Sequence, residues 1–278
     1  MTACGETVFL KLGGSLLTDK TAREVLRANR MESICAQIAT VLDERPELQL
    51  VLGIGSGSFG HFPAFQYELA QGVVHPDAWM GAAITADSAA RLVRHVTGCL
   101  IKAGVKAWSC QPGSAWMTQG RRVHGGSADV LARALASDLV PVVHGDVMLD
   151  LEQRVCIAST EEIFRFLAPS LRPDRILLAG EVPGIMSGPA EQWRGAQPIP
   201  RLQPARSGGL PLVPGASRGV DVTGGMRTKL QLCLEMVEIC PEAYVHIFDG
   251  RPLGAVQAVL TDPGLPVGTR VVGPDQPR

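Results

Sequence analysis

A mainly parallel β-sheet covered by helices on both faces, the α/β class, is what this sequence predicts, and three observations predict it. Short β-rich runs alternate with longer helical patterns. The runs are apolar on both faces, as strands buried between two helical layers are. Glycine loops follow several of them, at the strand ends where helices begin.

In chain order, the first strand is VFLKLGG (8–14), an apolar run broken by Lys11 and ended by two glycines. A helix over 30–44 leads to the second strand, LQLVLGIG (48–55), and a long helix is predicted over 78–103. VKAWSC (105–110) and VPVVHGDVML (140–149) are read as strands on either side of a helix over 127–138. A helix over 160–168, the strand RILLAGEV (175–182), a helix over 226–239 and the strands YVHIFDG (244–250) and TRVV (269–272) complete the alternation. Residues 187–219 are rich in proline and glycine and read as a long surface loop, of a kind that orders over a ligand.

Composition bounds the function. At 278 residues and 46% apolar content the chain suits one large domain or two closely joined lobes. Its net charge of -1 supplies no global field to recruit nucleic acid or an anionic membrane, so neither is an expected partner. No apolar run reaches the roughly 18 residues that would span a bilayer, and a cytoplasmic location is expected. Seven scattered cysteines, with no CxxC pair and no Cys/His cluster, argue against a disulfide framework or structural zinc; no protein metal site is expected.

Four glycine loops fall at strand ends: KLGGS (11–15), GIGSGSFGH (53–61), HGD (144–146) and DVTGGMRTK (221–229). Glycines strip side chains away so that backbone N–H groups converge on phosphate oxygens, and a following helix adds its positive end. A polyphosphate is the natural tenant. The pattern GxxxxGK[ST] is absent, however, and GSGSFG (55–60) matches a dinucleotide fingerprint only formally, because its acidic ribose partner would have to be Asp77 in a loop-like segment.

These residues resemble the amino acid kinase family, and within it the isopentenyl phosphate and fosfomycin kinase branch. The resemblance runs nearly end to end. A K-x-GGS strand-loop is followed by T-D-K (Lys11, Gly13, Gly14, Ser15; Thr18, Asp19, Lys20), and the second loop continues as G-S-F-G-H (57–61). P-V-x-x-G-D stands at Pro141, Val142, Gly145 and Asp146, D-V-T-G-G-M-x-x-K at 221–229, FDG at 248–250 and GT at Gly268 and Thr269.

The resemblance implies an amino acid kinase-like open αβα sandwich as one domain over 1–278, with an acceptor-binding lobe over 1–170 and a nucleotide-binding lobe over 171–278. It implies transfer of the γ-phosphoryl group of ATP, with Mg²⁺ held chiefly by the phosphates, onto the phosphate of isopentenyl phosphate. Lys11 would grip the transferring group, Lys20 assist near the γ-phosphate, Lys229 neutralise the charge on departing ADP, and Asp146 orient the lysines. Gly13, Gly14, Gly55 and Gly57 would bring N–H groups to the donor and acceptor phosphates. Ser15, Gly180, Glu181, Gly184, Thr223, Gly224 and Gly225 would line the nucleotide, and Ser56, Gly60, His61 and Gly145 the acceptor, with His61 donating to its phosphate. A homodimer is expected from the same resemblance.

Departures from the pattern are specific. Ile54 stands where the second loop usually has a histidine and Ser56 where it has a glycine; Glu181, Pro183 and Met186 alter the nucleotide segment; Glu161 in ASTEEI (158–163) takes an aspartate's place. Phe62, Phe65, Tyr67 and Trp79, with the small Gly81, Ala82, Ala83 and Ala86 opposite, are the expected walls of an isoprenoid pocket. Two other readings stay open: a kinase of another small phosphate or phosphonate such as fosfomycin, and a non-catalytic nucleotide-binding or storage protein on the same fold.

Overall fold

The computed structural model describes residues 5–186, 197–204, 225–274 and 276. In chain order the elements are β1 (Thr7–Leu12), α1 (Gly14–Leu17), α2 (Ala28–Glu44), β2 (Gln49–Ile54), α3 (Gly57–Gln66), α4 (Ala78–Lys102), β3 (Ala107–Ser109) and α5 (Pro112–Ala115). Next come β4 (Met117–Gln119), β5 (Arg122–His124), α6 (Asp129–Leu135), β6 (Val140–His144), β7 (Asp146–Asp150), β8 (Arg154–Ala158) and α7 (Thr160–Leu171). The chain continues through β9 (Arg175–Gly180), β10 (Arg201–Leu202), α8 (Gly225–Ile239), β11 (Tyr244–Asp249), α9 (Ala255–Thr261) and β12 (Thr269–Val272).

Among the described residues, eight strands form the main sheet in the order β10-β12-β11-β9-β1-β2-β6-β3, parallel throughout except where β12 runs against β11. The predicted α/β class is what is observed. Strand parity then divides the core in two. Val8, Leu10 and Leu12 of β1 join Leu50, Leu52 and Ile54 of β2 beneath α2, α4 and α9, through Ile34, Ile38, Leu92, Val96 and Val259. Phe9 and Val51 turn the other way, onto Ile163, Phe164 and Leu167 of α7 and Leu230, Cys233 and Val237 of α8. Lys11 shares the parity of Phe9, so its side chain leaves the strand on the α7–α8 side.

A second sheet, β5-β4-β7-β8, extends the fold beyond what the sequence pattern predicts. The run 140–149, read as one strand, is two: Gly145 separates β6 in the main sheet from β7 in the small one. Its N–H bonds Ile54 O at 3.1 Å, and a Cβ there would stand 3.2 Å from both Ala158 O and Thr160 N. The second glycine loop is likewise more than a loop, because 57–66 forms α3, with Pro63 inside it. Of the long loop read at 187–219, residues 197–204 are described and include β10; the remainder lies outside the described residues.

Candidate active site

Lys11 enters the α7–α8 face near the end of β1 and meets the first turn of α7. Its Nζ lies 2.5 Å from Glu161 Oε2, and Lys229 Nζ of α8 lies 3.9 Å from Glu161 Oε1. One carboxylate thus holds two lysines from elements far apart in sequence. Glu161 is buried, which raises its pKa, but the charges of Lys11 and Lys229 and the bond from Lys11 outweigh burial and hold it below the ordinary carboxylate value. It stays an anion and serves only as an acceptor.

The approach of α7 to the sheet depends on a missing side chain. Gly53 pairs with Lys11 across β1 and β2, and a Cβ on it would stand 2.5 Å from Thr160 Cγ2 and 2.6 Å from Phe164 Cζ. Thr160 Oγ1 donates to Ile54 O at 2.9 Å, and Ser159 caps the helix by accepting from Glu162 N at 3.1 Å. Together these contacts deliver Glu161 to Lys11. The sequence marks Gly53 only as one glycine of the second loop, and the resemblance gives the tethering role to Asp146.

That assignment is corrected. Asp146 is buried at the start of β7, where Oδ2 accepts from Gly113 N at 2.9 Å and Oδ1 from Val147 N at 2.8 Å, with His144 Nε2 3.9 Å away. It anchors the α5 turn, while Glu161 anchors the lysines. The reason is topological: Gly145 sends Asp146 into the second sheet, whereas Glu161 opens the helix packed over β1.

The first two glycine loops lock back to back. A Cβ on Gly14 would stand 2.2 Å from Gly57 N, and Gly57 adopts φ +51°, so both positions require glycine. Thr18 ties the pair by accepting from Ser58 N at 2.9 Å and donating to Gly14 O at 2.8 Å. Only part of the set Gly13, Gly14, Gly55 and Gly57 offers its own N–H groups. Gly13 N bonds Ala179 O and Gly55 N bonds Leu12 O, each at 2.9 Å, so those two serve close packing. Gly14 and Ser15, in the first turn of α1, and Gly57, in the first turn of α3, carry the leading N–H groups of their helices.

A small cavity opens beside them, lined by Ser56 and Gly60, by Thr85 and Ala89 of α4, and by Gly145, Asp146, Val147 and Ile157 at the second sheet. His61 follows Gly60 on α3 and is half-buried. None of the aromatics read from the sequence as pocket walls lines this cavity. Tyr67 fills the space over Gly81, Phe62 and Phe65 are exposed, and Trp79 lies under the Arg154 guanidinium, 5.2 Å from its ring centroid. Ala82 and Ala86 pack into a satellite core with Ala64, Leu69 and Val155.

On the other side of Lys11, Gly180 ends β9 and its carbonyl accepts from Gly250 N at 2.8 Å, while Glu181 pairs with Arg27 at 3.7 Å. Gly184 packs against Gly268 and Thr269, and Ile185 N donates to Thr269 Oγ1 at 2.7 Å, so the GT pair of the tail braces this segment. Lys20 is exposed on the loop after α1. Thr223 and Gly224 lie outside the described residues; Gly225 opens α8 at φ +75°. Among the described residues no group of three His, Cys, Asp or Glu side chains forms a metal cage, and no helix is long and apolar enough to cross a membrane.

The arrangement suits chemistry on phosphates, with two cations around one fixed anion and a cavity beside glycine loops. Comparison with known proteins agrees. The model of the amino acid kinase family matches residues 6–249. An isopentenyl phosphate kinase of Haloferax volcanii is 31% identical over 255 residues, covering 90% of this chain and 94% of that protein. One from Methanothermobacter thermautotrophicus is 26% identical over 273 residues, covering 96% and 99%. A crystal structure of an isopentenyl phosphate kinase superposes with a TM-score of 0.80 at 24% identity, over 95% of this chain and all of that one.

Proposed function

This chain belongs to the amino acid kinase family, and on that premise we propose that it transfers the γ-phosphoryl group of ATP to the phosphate of isopentenyl phosphate, giving isopentenyl diphosphate and ADP. The observation that carries the reading is the Lys11–Glu161–Lys229 triad. A phosphate monoester is already nucleophilic at neutral pH, so its attack needs no general base. Glu161, held by two lysines, is correspondingly unsuited to take up a proton.

In the proposed reaction an acceptor phosphate oxygen forms a bond to the γ-phosphorus as the bond to the β,γ-bridging oxygen breaks. Lys11 neutralises the charge spreading over the transferred group, and Lys229 the charge arriving on ADP. Their common tether holds both ammonium groups in place before the substrates bind, which lowers the reorganisation needed in the transition state. His61 and the first turn of α3, beside the small cavity at α4, would hold the acceptor phosphate. Mg²⁺ keeps several waters and takes few protein ligands, so it would be held chiefly by the nucleotide phosphates. We place the acceptor at the 1–170 lobe, the nucleotide at the 171–278 lobe, and the protein in the cytoplasm as a homodimer, a state that analytical ultracentrifugation tests.

Coupled ADP release from Mg-ATP with isopentenyl phosphate, run beside dimethylallyl phosphate and fosfomycin, tests the reaction. Saturable turnover with isopentenyl phosphate is expected; turnover only with another acceptor overturns the substrate. Lys11→Ala is expected to lower kcat by about a hundredfold or more with the fold retained, as loss of a preorganised charge does. His61→Ala is expected to raise the acceptor KM while leaving the ATP KM unchanged.

A further inference from the structure

The loop between α1 and α2 carries Lys20, and its attachment to the rest of the molecule is specific. Its base is closed by backbone pairing: Thr18 bridges Leu26, Asp19 N bonds Val25 O at 2.9 Å and Arg27 N bonds Leu17 O at 2.8 Å. Among the described residues, the Glu24 side chain holds the far side. Glu24 Oε1 accepts from Ser88 Oγ at 2.5 Å and from Arg91 Nη2 at 2.6 Å, and Arg91 Nη2 also lies 2.8 Å from Ser88 Oγ. Ser88 is fully buried in α4, and Arg91 is steadied by Asp87 one turn earlier.

Glu24 makes these bonds from φ +56°, a left-handed conformation that a residue with a Cβ adopts only where its surroundings impose it. Burial raises its pKa, but the bonds from Ser88 and Arg91 more than offset this and keep the carboxylate ionised. The anchor also sits at an informative place on α4. Ala89 adjoins Ser88 and Thr85 lies one turn before it, and both line the cavity.

We propose that Glu24 is a positioning residue, a latch that fixes the Lys20 loop to the cavity wall so that Lys20 is presented to the transferring phosphoryl group. The kinetic part rests on the kinase reading above; the latch itself does not. Rigid attachment to α4 makes the position of Lys20 depend on the same helix that shapes the acceptor cavity.

The first variant leaves the loop's own sequence untouched. In full-length Ser88→Ala/Arg91→Ala protein, trypsin cleavage after Lys20 and Arg23, followed by mass spectrometry, is expected to be about tenfold faster than in the parent, because local opening now exposes the loop. Glu24→Gln is the second variant, for use if the double variant does not fold; it is expected to show the same direction. Unchanged cleavage overturns the latch.

For the kinetic part, latch loss is expected to lower kcat with ATP and isopentenyl phosphate about tenfold, and Lys20→Ala added to it is expected to lower kcat little further, the mark of residues that act as a unit. Additive effects of Lys20→Ala and latch loss overturn the link to Lys20. If the parent turns over no phosphate acceptor, the kinase reading fails, while the cleavage rates still decide the latch.

Discussion

Lys11 was visible as a site residue because a charge inside an apolar strand needs a partner. The partner was not visible, since Glu161 lies 150 residues away and reaches Lys11 only when α7 packs over β1 and β2. Gly53 was visible only as one glycine among several in a loop; its use appears when Thr160 and Phe164 occupy the space of its absent side chain. Gly53→Ala is therefore expected to destabilise the protein by about 1–3 kcal/mol through overpacking. It is also expected to lower kcat more than either KM, because a displaced α7 carries Glu161 away from Lys11. Thermal unfolding and steady-state kinetics check the two effects. Native stability with native kcat would show that the sheet absorbs the methyl group without moving the helix.

At the scale of elements, the five helices predicted from periodicity all have counterparts, though the one predicted over 127–138 is the seven-residue α6. A buried stripe over several turns leaves a clear mark. The second sheet left almost none. Strands β4 and β5 are three residues each, with one buried position apiece, too short for alternation to register. A turn contact ties them to their neighbours. Asp150 Oδ1 accepts from Glu152 N and Gln153 N, and its Oδ2 accepts from Arg121 N at 2.8 Å, tying the β7–β8 turn to the β4–β5 hairpin. Burial raises the Asp150 pKa, but these N–H donors dominate and bring it down to about 2 from 3.8. A depressed carboxylate stabilises the fold above its unfolded value and loses that contribution as pH falls through the folded one. Asp150→Asn is thus expected to cost about 1–2 kcal/mol at neutral pH. The difference from the parent should narrow between pH 3.8 and about 2. Denaturant unfolding across that range checks it, and a pH-independent difference would assign the effect to shape.

At the scale of the whole molecule, the two halves of the main sheet are joined where β9 pairs with β1, and a buried arginine marks the seam. Arg175 of β9 donates through Nε and Nη2 to the Glu6 carboxylate, and through Nη1 and Nη2 to Val259 O and Leu260 O at 3.0 and 2.9 Å, at the end of α9. Burial raises the Glu6 pKa; Arg175 and Arg45 together draw it below 4.5. The pair therefore stabilises the fold above pH 4.5 and loses its effect as pH falls through the lower, folded value. Glu6→Gln is expected to cost about 2 kcal/mol at pH 7 by leaving Arg175 buried without its counter-charge, with the loss shrinking under acid conditions. Thermal unfolding of parent and variant from neutral to acid pH checks the sign.

What the sequence by itself determined is the alternation of buried strands and helices, the glycine loops at the strand ends whose form called for phosphate, and a lysine set inside an apolar strand. These are local properties, written in periodicity and in residues whose backbone or charge is restrictive on its own. The tertiary structure alone decided that Glu161 and not Asp146 tethers the lysines, that none of the expected aromatics lines the cavity beside the glycine loops, and that Glu24 reaches Ser88 and Arg91 of α4. Each of those depends on which faces of distant elements meet, and strand parity, the close approach permitted at Gly53 and the switch of sheets at Gly145 set that only once the chain is folded.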